Sequence, residues 1–387
     1  MKVVIVGGGF GGVKTALELA NKPDIDVQLI TQHQNFEYHG ALYRSATGHS
    51  PKEVVLPLSE IFEDATNIEV VLDTVLRVND QAQSVTGELG ETYHYDYLVM
   101  ALGNTINYFD ISGMDKHSFS MDTIASTLKL REELVKKFKK LAPKPVSIVV
   151  IGAGASGTEL AGELKHFAWL VAWRHHQRAR SVEVTLIEGA DRVLPALHPK
   201  ASAKAGRRLK KLGVKVRLNT RVNSCEPNKV CLNKSDITAD IIIWTAGSTN
   251  APLFAKHPYV FDLDRGRVKV DEKMHPVNQP HMYVIGDNAA TPYSGMAQTA
   301  LRDAIYVAQD ILANQAQRRH AKYRAIAPVY VVPVGPKWAI YQKGNLVRSG
   351  LFGWRARRQA DLEVFKNFEP YAKAVELWAA GNEMIDF

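Results

Sequence analysis

Six glycines in two matching sets have the spacing needed to cradle phosphate. Gly7, Gly9 and Gly12 stand as G-x-G-x-x-G in "KVVIVGGGFGG", and Gly152, Gly154 and Gly157 repeat the spacing in "VSIVVIGAGASG", about 145 residues later. In each case an apolar strand precedes the glycines, over residues 2–6 and 147–151, and a helix-like run follows. After the first set, Val13, Ala16, Leu17 and Ala20 mark one apolar helix face. The division of labour is physical. One glycine makes the tight turn, one lets backbone approach a pyrophosphate, and one lets helix pack closely on strand. The helix N-terminus then receives the negative charge. A single motif of this kind is weak, but two, each between a strand and a helix, read as two dinucleotide sites.

The residues that end the neighbouring strands refine this. Glu188 closes the alternating strand in "SVEVTLIEGADRVLP". A carboxylate there suits a ribose with both hydroxyls free and repels a 2′-phosphate, which favours NADH over NADPH. The matching position of the first unit is Thr31, whose hydroxyl bonds a ribose less strongly. Two further strands end in small-residue turns: "YDYLVMALG" at Ala101 and Gly103, and "ADIIIWTAG" at Gly247. Each follows a glycine motif, so one nucleotide-binding plan has been used twice. A third strand-like run, "YVIGDNAATPYSGMAQTALRDA" (283–304), ends in Gly286 and Asp287 before a helix opens near Ala297 and Gln298. A carboxylate at a buried strand tip implies that something is held there.

The chain has 387 residues, room for two or three domains with full cores. Its 46% apolar and 23% charged content is that of an ordinary globular protein. The first residues run straight into a strand, so no leader is expected. No apolar stretch approaches the roughly 20 residues that span a bilayer. A cytoplasmic, soluble or surface-attached protein is expected. Cys225 and Cys231, the only cysteines, read as reduced thiols on a hairpin turning at Pro227 and Asn228. The net charge of +8 is uneven: residues 302–358 hold eleven Lys/Arg against two Asp. Such an excess attracts an anionic partner or forms a solvated face. No metal site and no nucleic-acid recognition motif is expected.

Several segments resemble the type II NADH:quinone oxidoreductases, flavoproteins with two dinucleotide-binding domains in the pyridine nucleotide-disulfide oxidoreductase superfamily. They are "ALYRSATG" (41–48), "DYLVMALGNTINYFDISGM" (96–114), "SGTELAGEL" (156–164), "VTLIEGADRVLP" (184–195) and "MAQTA" (296–300). The resemblance runs from residue 1 to about residue 315. It implies FAD in the first site, with Asp287 on the ribityl chain and the amides near Ala297 and Gln298 facing the flavin. It places Glu159 beside the nicotinamide of NADH and a quinone on the Gln298 side. The family's A-Q-x-A-x-Q appears here with Arg302 in place of the second Gln. The disulfide reductases and sulfide:quinone reductases fit less well, because no cysteine pair lies near "EYHGALYR".

The expected architecture is α/β: two Rossmann-like domains, the NADH domain inserted in the FAD domain, and a small α+β module. The boundaries read as 1–115 and 266–325 for the FAD domain, 116–265 for the NADH domain, and 326–387 for the C-terminal module. Electrons would pass from NADH through FAD to a quinone. The alternatives are an NADH-dependent reductase of a small redox protein, or an FAD-bound NADH sensor of the apoptosis-inducing-factor type. Residues 330–350 read as short strands with glycine turns. The basic, aromatic stretch 350–358, with Phe352, Trp354, Arg355, Arg357 and Arg358, reads as a weak contact with the cytoplasmic face of a membrane. A last helix between Pro370 and Gly381 carries Tyr371, Val375 and Trp378 on one face, suited to packing or a homodimer contact.

Overall fold

The computed structural model describes residues 1–140, 144–176, 181–233 and 235–385. The elements that build the site are, in chain order, β1 (Lys2–Val6), α1 (Phe10–Glu18), β2 (Asp26–Thr31), α2 (Leu42–Ala46), β3 (Ile68–Leu72), β4 (Tyr97–Met100) and β5 (Asn104–Ile106). Then come β6 (Val146–Ile151), α3 (Ala155–Arg174), β7 (Val182–Ile187), β8 (Lys215–Arg217), β9 (Ile241–Trp244), β10 (Ser248–Asn250) and β11 (Met282–Val284). The last are α4 (Ala297–Gln315), β12 (Tyr330–Pro333), β13 (Ala339–Lys343), β14 (Leu346–Gly350), α5 (Leu351–Phe365) and α6 (Tyr371–Ala380).

Two parallel sheets dominate. The first has the order β11-β4-β1-β2-β3 and the second β8-β7-β6-β9. Their central strands are runs of Val and Ile because both faces are covered; Val3, Val4 and Ile5 are fully buried, as are Ile148, Val149 and Val150. β11 enters the first sheet although the whole second sheet precedes it in the chain. β5 and β10, the segments just beyond the Gly103 and Gly247 turns, pair antiparallel and tie the two halves together, Asn104 opposite Asn250. The predicted cysteine hairpin is present with both thiols free.

The C-terminal region departs from expectation in one respect. Its three strands form an antiparallel sheet, as read, and lie against α3, where a side chain on Gly162 would reach within 2.6 Å of the Gly335 amide. The stretch after them is the helix α5, and Arg357 and Arg358 point inward, each 7% exposed. The reading of these two arginines as bilayer contacts is therefore corrected. Asp361, one turn further along, and Glu53 and Glu159 from elsewhere supply buried counter-charges that draw them in. Glu53 Oε1 accepts from Arg358 Nη1 and from Arg44 Nη1, both at 2.6 Å. Asp361 accepts from Arg357 Nε at 2.8 Å, Arg358 Nη1 at 3.2 Å and the Tyr38 hydroxyl at 2.7 Å. Leu351, Phe352 and Arg355 are exposed, and Trp354 is half-buried. The α6 stripe is split: Trp378 stacks on Arg358, 4.8 Å from ring centre to guanidinium carbon, while Tyr371 is exposed.

Aromatic packing completes the anchor. Phe36 lies 4.4 Å from Phe368, and Tyr38 meets Phe365 edge-on. Removing a buried acid that serves two arginines leaves uncompensated charge. Glu53→Ala is expected to lower unfolding stability by about 3–5 kcal/mol, measured by urea denaturation, whereas Glu363→Ala on the exposed side of α5 is expected to change it by less than about 1 kcal/mol.

Candidate functional site

The ends of both parallel sheets open on one cavity of about 1500 Å³. That exceeds the roughly 300–1,000 Å³ of a site for one drug-sized ligand. Three helices begin at its wall: α1 after Gly9, α3 after Gly154 and α4 after Met296. None has a side-chain cap. The first amides of each helix are thus left to face the cavity with the positive end of the helix dipole.

The glycines that permit these starts fall into two kinds. A Cβ on Gly12 would sit 1.8 Å from the Gly7 carbonyl oxygen, and one on Gly157 would sit 1.9 Å from that of Gly152. These close the helix onto its own turn. Gly7 and Gly152 hold φ of +119° and +100°, and a side chain there would also strike Ala101 or Ala246. Gly9 and Gly154 are different: a Cβ meets nothing within 4 Å, so both present bare backbone to open space.

The strand-tip turns are joined across the site. Asn288 Oδ1 accepts from the Gly103 amide at 3.0 Å, and Asn288 Nδ2 donates to the Gly103 carbonyl at 2.7 Å. Beside this clamp, Asp287 Oδ2 accepts from Asn104 Nδ2 at 2.5 Å. Burial raises the Asp287 pKa, opposed by Arg267. The fully buried Asp303 of α4 accepts the Gly286 amide at 2.9 Å and the Tyr323 hydroxyl at 2.5 Å. Burial pushes the Asp303 pKa up to about 6. Sequence reasoning missed Asn288, Asp303 and Asn104. Asn288 directly follows the Gly-Asp pair and so was accessible to a closer reading of that turn.

The expected site residues are largely gathered here. Thr31, Ala101, Gly103, Glu159, Gly247, Gly286, Asp287, Ala297, Gln298 and Arg302 all line the cavity. Two of them are already engaged. The Gln298 side chain donates to the Val329 carbonyl at 2.9 Å and accepts from the Val329 amide at 3.3 Å. Arg302 Nη1 donates to the Ile326 carbonyl at 2.9 Å. Both therefore brace segment 326–329 at the rim. Thr31 is 5% exposed; its hydroxyl is 3.3 Å from the His33 amide and lies under Gly8. Glu188 lies at the second glycine turn, outside the cavity lining, where it accepts from the Ala153 amide at 2.7 Å and the Ala190 amide at 2.9 Å.

Glu159 was expected from sequence, but its partner was not. It is 6% exposed and accepts from Arg357 Nη1 at 3.2 Å. Burial pushes its pKa up to about 7, against the pull of Arg357. Glu163, one turn on, is likewise raised to about 7 by burial, opposed by Arg44 and Arg208.

The two kinds of glycine give a direct test. Gly12→Ala and Gly157→Ala should destabilise the fold by at least about 1–3 kcal/mol through overpacking, seen as a lowered Tm. Gly9→Ala and Gly154→Ala should leave Tm nearly unchanged.

Comparison with known proteins agrees with this geometry. The model of the pyridine nucleotide-disulphide oxidoreductase family matches residues 1–304. The type II NADH:quinone oxidoreductase Ndh of Mycobacterium tuberculosis is 32% identical over 352 residues, covering 83% of this chain and 75% of the relative. The Haemophilus influenzae type II NADH:quinone oxidoreductase is 27% identical, covering 74% and 73%. Among solved structures, Plasmodium falciparum NDH2 in complex with NADH superposes with a TM-score of 0.87 at 17% identity, covering 98% of this chain and 97% of that one. The sulfide:quinone oxidoreductase of Aquifex aeolicus gives 0.81 at 19% identity, covering 100% and 97%. The two-Rossmann α/β architecture expected from sequence is thereby borne out. The chain belongs to the pyridine nucleotide-disulphide oxidoreductase family and, within it, to the type II NADH:quinone oxidoreductases.

Proposed function

We propose that this chain oxidises NADH and passes two electrons to a quinone, using FAD held in the cavity. The observation that carries this reading is the convergence of three uncapped helix starts and the Gly286–Asp287 turn on one space. The residues present fit the cofactor. Gly9 leaves room for a pyrophosphate, Asp287 offers an acceptor to a polyol chain, and the opening amides of α4 favour negative charge. Bound FAD would supply the two-electron relay between donor and acceptor.

The chain itself binds and orients. The Gly152–Gly157 turn receives the NADH pyrophosphate, and Glu188, fixed beside that turn by two amides, serves as the acceptor for its ribose. Glu159 and the Gly247 turn position the nicotinamide. Gln298 and Arg302, by bracing segment 326–329, shape the acceptor side. In this reading residues 1–115 and 266–325 hold the flavin, 116–265 hold NADH, and 326–387 cover the acceptor side. The entry of β11 into the first sheet supports it.

No helix among the described residues is long and apolar enough to cross a membrane. The proposed weak bilayer contact at 350–358, on the cytoplasmic face, narrows to Leu351, Phe352 and Arg355, the exposed large side chains there. A homodimer contact would use the exposed Tyr371 end of α6. A second acceptor reading, an acidic redox protein, draws on the absence of any Asp or Glu between Asp310 and Asp361 in the sequence, a span with exposed Arg318, Arg319 and Arg324.

Purified protein should be yellow and turn over NADH with a short-chain quinone; activity with acidic electron carriers alone would transfer the assignment to the second reading. Asp287→Ala should lose most of its flavin, read by absorbance. Glu188→Ala should raise KM for NADH at least tenfold and KM for NADPH much less. Equal effects on both would remove Glu188 from the ribose.

A further inference from the structure

Arg357 reaches the cavity from a helix that neither glycine motif predicts, and its donors touch four separate pieces of the chain. Nε donates to Asp361 on its own helix at 2.8 Å, and Nη1 donates to Glu159 at the start of α3 at 3.2 Å. Nη2 donates to the Gly40 carbonyl, and Nη1 also lies 3.5 Å from the Val331 carbonyl of β12. The guanidinium is 5.9 Å from the centre of the Tyr43 ring. A flexible ammonium could not match this forked set of contacts. Among the described residues, the Glu159 carboxyl accepts from no other side chain, and it lines the cavity.

We propose that Arg357 is a positioning residue for the redox cavity: it holds the Glu159 carboxyl against the wall and sets how readily that carboxyl releases its proton to the cavity. The C-terminal module then completes the site, since α5 brings the cation that pairs with Glu159. The proposal rests on the NADH and quinone reading for what the carboxyl serves, but not for the coupling itself. The charged groups that act on the Glu159 carboxyl are Arg357 and Asp361, both from α5; Tyr43 of α2 faces Glu159, Glu163, Arg44 and Arg357. Of these, Arg357 opposes the effect of burial most strongly and Asp361 adds to it. The sign follows. Without the guanidinium the neutral carboxyl is favoured, so ionisation moves to higher pH.

The test is an infrared titration of the carboxyl stretch in the full-length, FAD-loaded protein, with Glu159→Gln as the blank that identifies the band. In the unmodified protein the band should be half lost near pH 7, where burial and Arg357 together place it. In Arg357→Met it should move up by one pH unit or more, and in Arg357→Lys by less. The pH profile of quinone-dependent turnover should move in the same direction. Should Arg357→Met fail to fold, Arg357→Met on an Asp361→Asn background, compared with Asp361→Asn alone, isolates the guanidinium in the same titration. A band that titrates at the same pH with and without Arg357 overturns the proposal. Loss of all NADH–quinone turnover in the unmodified, flavin-loaded protein would reject the functional reading and leave the infrared result to judge Arg357 separately.

Discussion

Three helix N-termini with no side-chain caps face one cavity, and most of the architecture follows from that arrangement. Each carries about half a positive elementary charge and amides that the protein does not fill with its own side chains. Such a concentration of donors is tolerable only where water or an anionic ligand can answer it. The close-packing glycines are what make the arrangement sterically attainable: Gly12 and Gly157 let each of the first two helices begin directly over its own turn. The third helix has no such motif. It is instead fixed by Asp303, which reaches back to the Gly286 amide and holds the strand tip against the helix.

The opposite wall is held by charge. Arg44, Arg357 and Arg358 meet Glu53, Asp361 and Glu159 in a nearly dry cluster. A buried set of ions adds little net stability over apolar packing of the same shape. It does impose geometry, because each guanidinium must find its acceptors at once. That requirement fixes the rotation of α5 and thereby delivers Arg357 to Glu159 and not to solvent.

How much of this could be read from the chain depended on distance along it. The glycine turns, the Glu188 strand end and the helix opening at Ala297 were legible because their chemistry is local, set by residues within a turn of one another. The pairing of Arg357 with Glu159 spans 198 positions, and that of Arg358 with Glu53 spans 305. No periodicity records such contacts. A basic, aromatic stretch looks the same whether its arginines face lipid or buried acids, so the sequence reading sent them outward. Gln298 is a subtler case. Its place beside the cavity was foreseen, but the Val329 backbone that occupies its amide comes from a segment with no motif of its own.

The near-contact of Gly162 with Gly335 bears on how such enzymes can be recombined. Because backbone meets backbone there, the middle of α3 and the three-stranded sheet are complementary surfaces with no side chain to act as a buffer. A chimera that takes its carboxyl-terminal third from a relative with a bulkier residue in place of Gly335 would wedge the sheet outward and tilt everything fastened behind it. Transplantation across this seam succeeds only when both faces travel together.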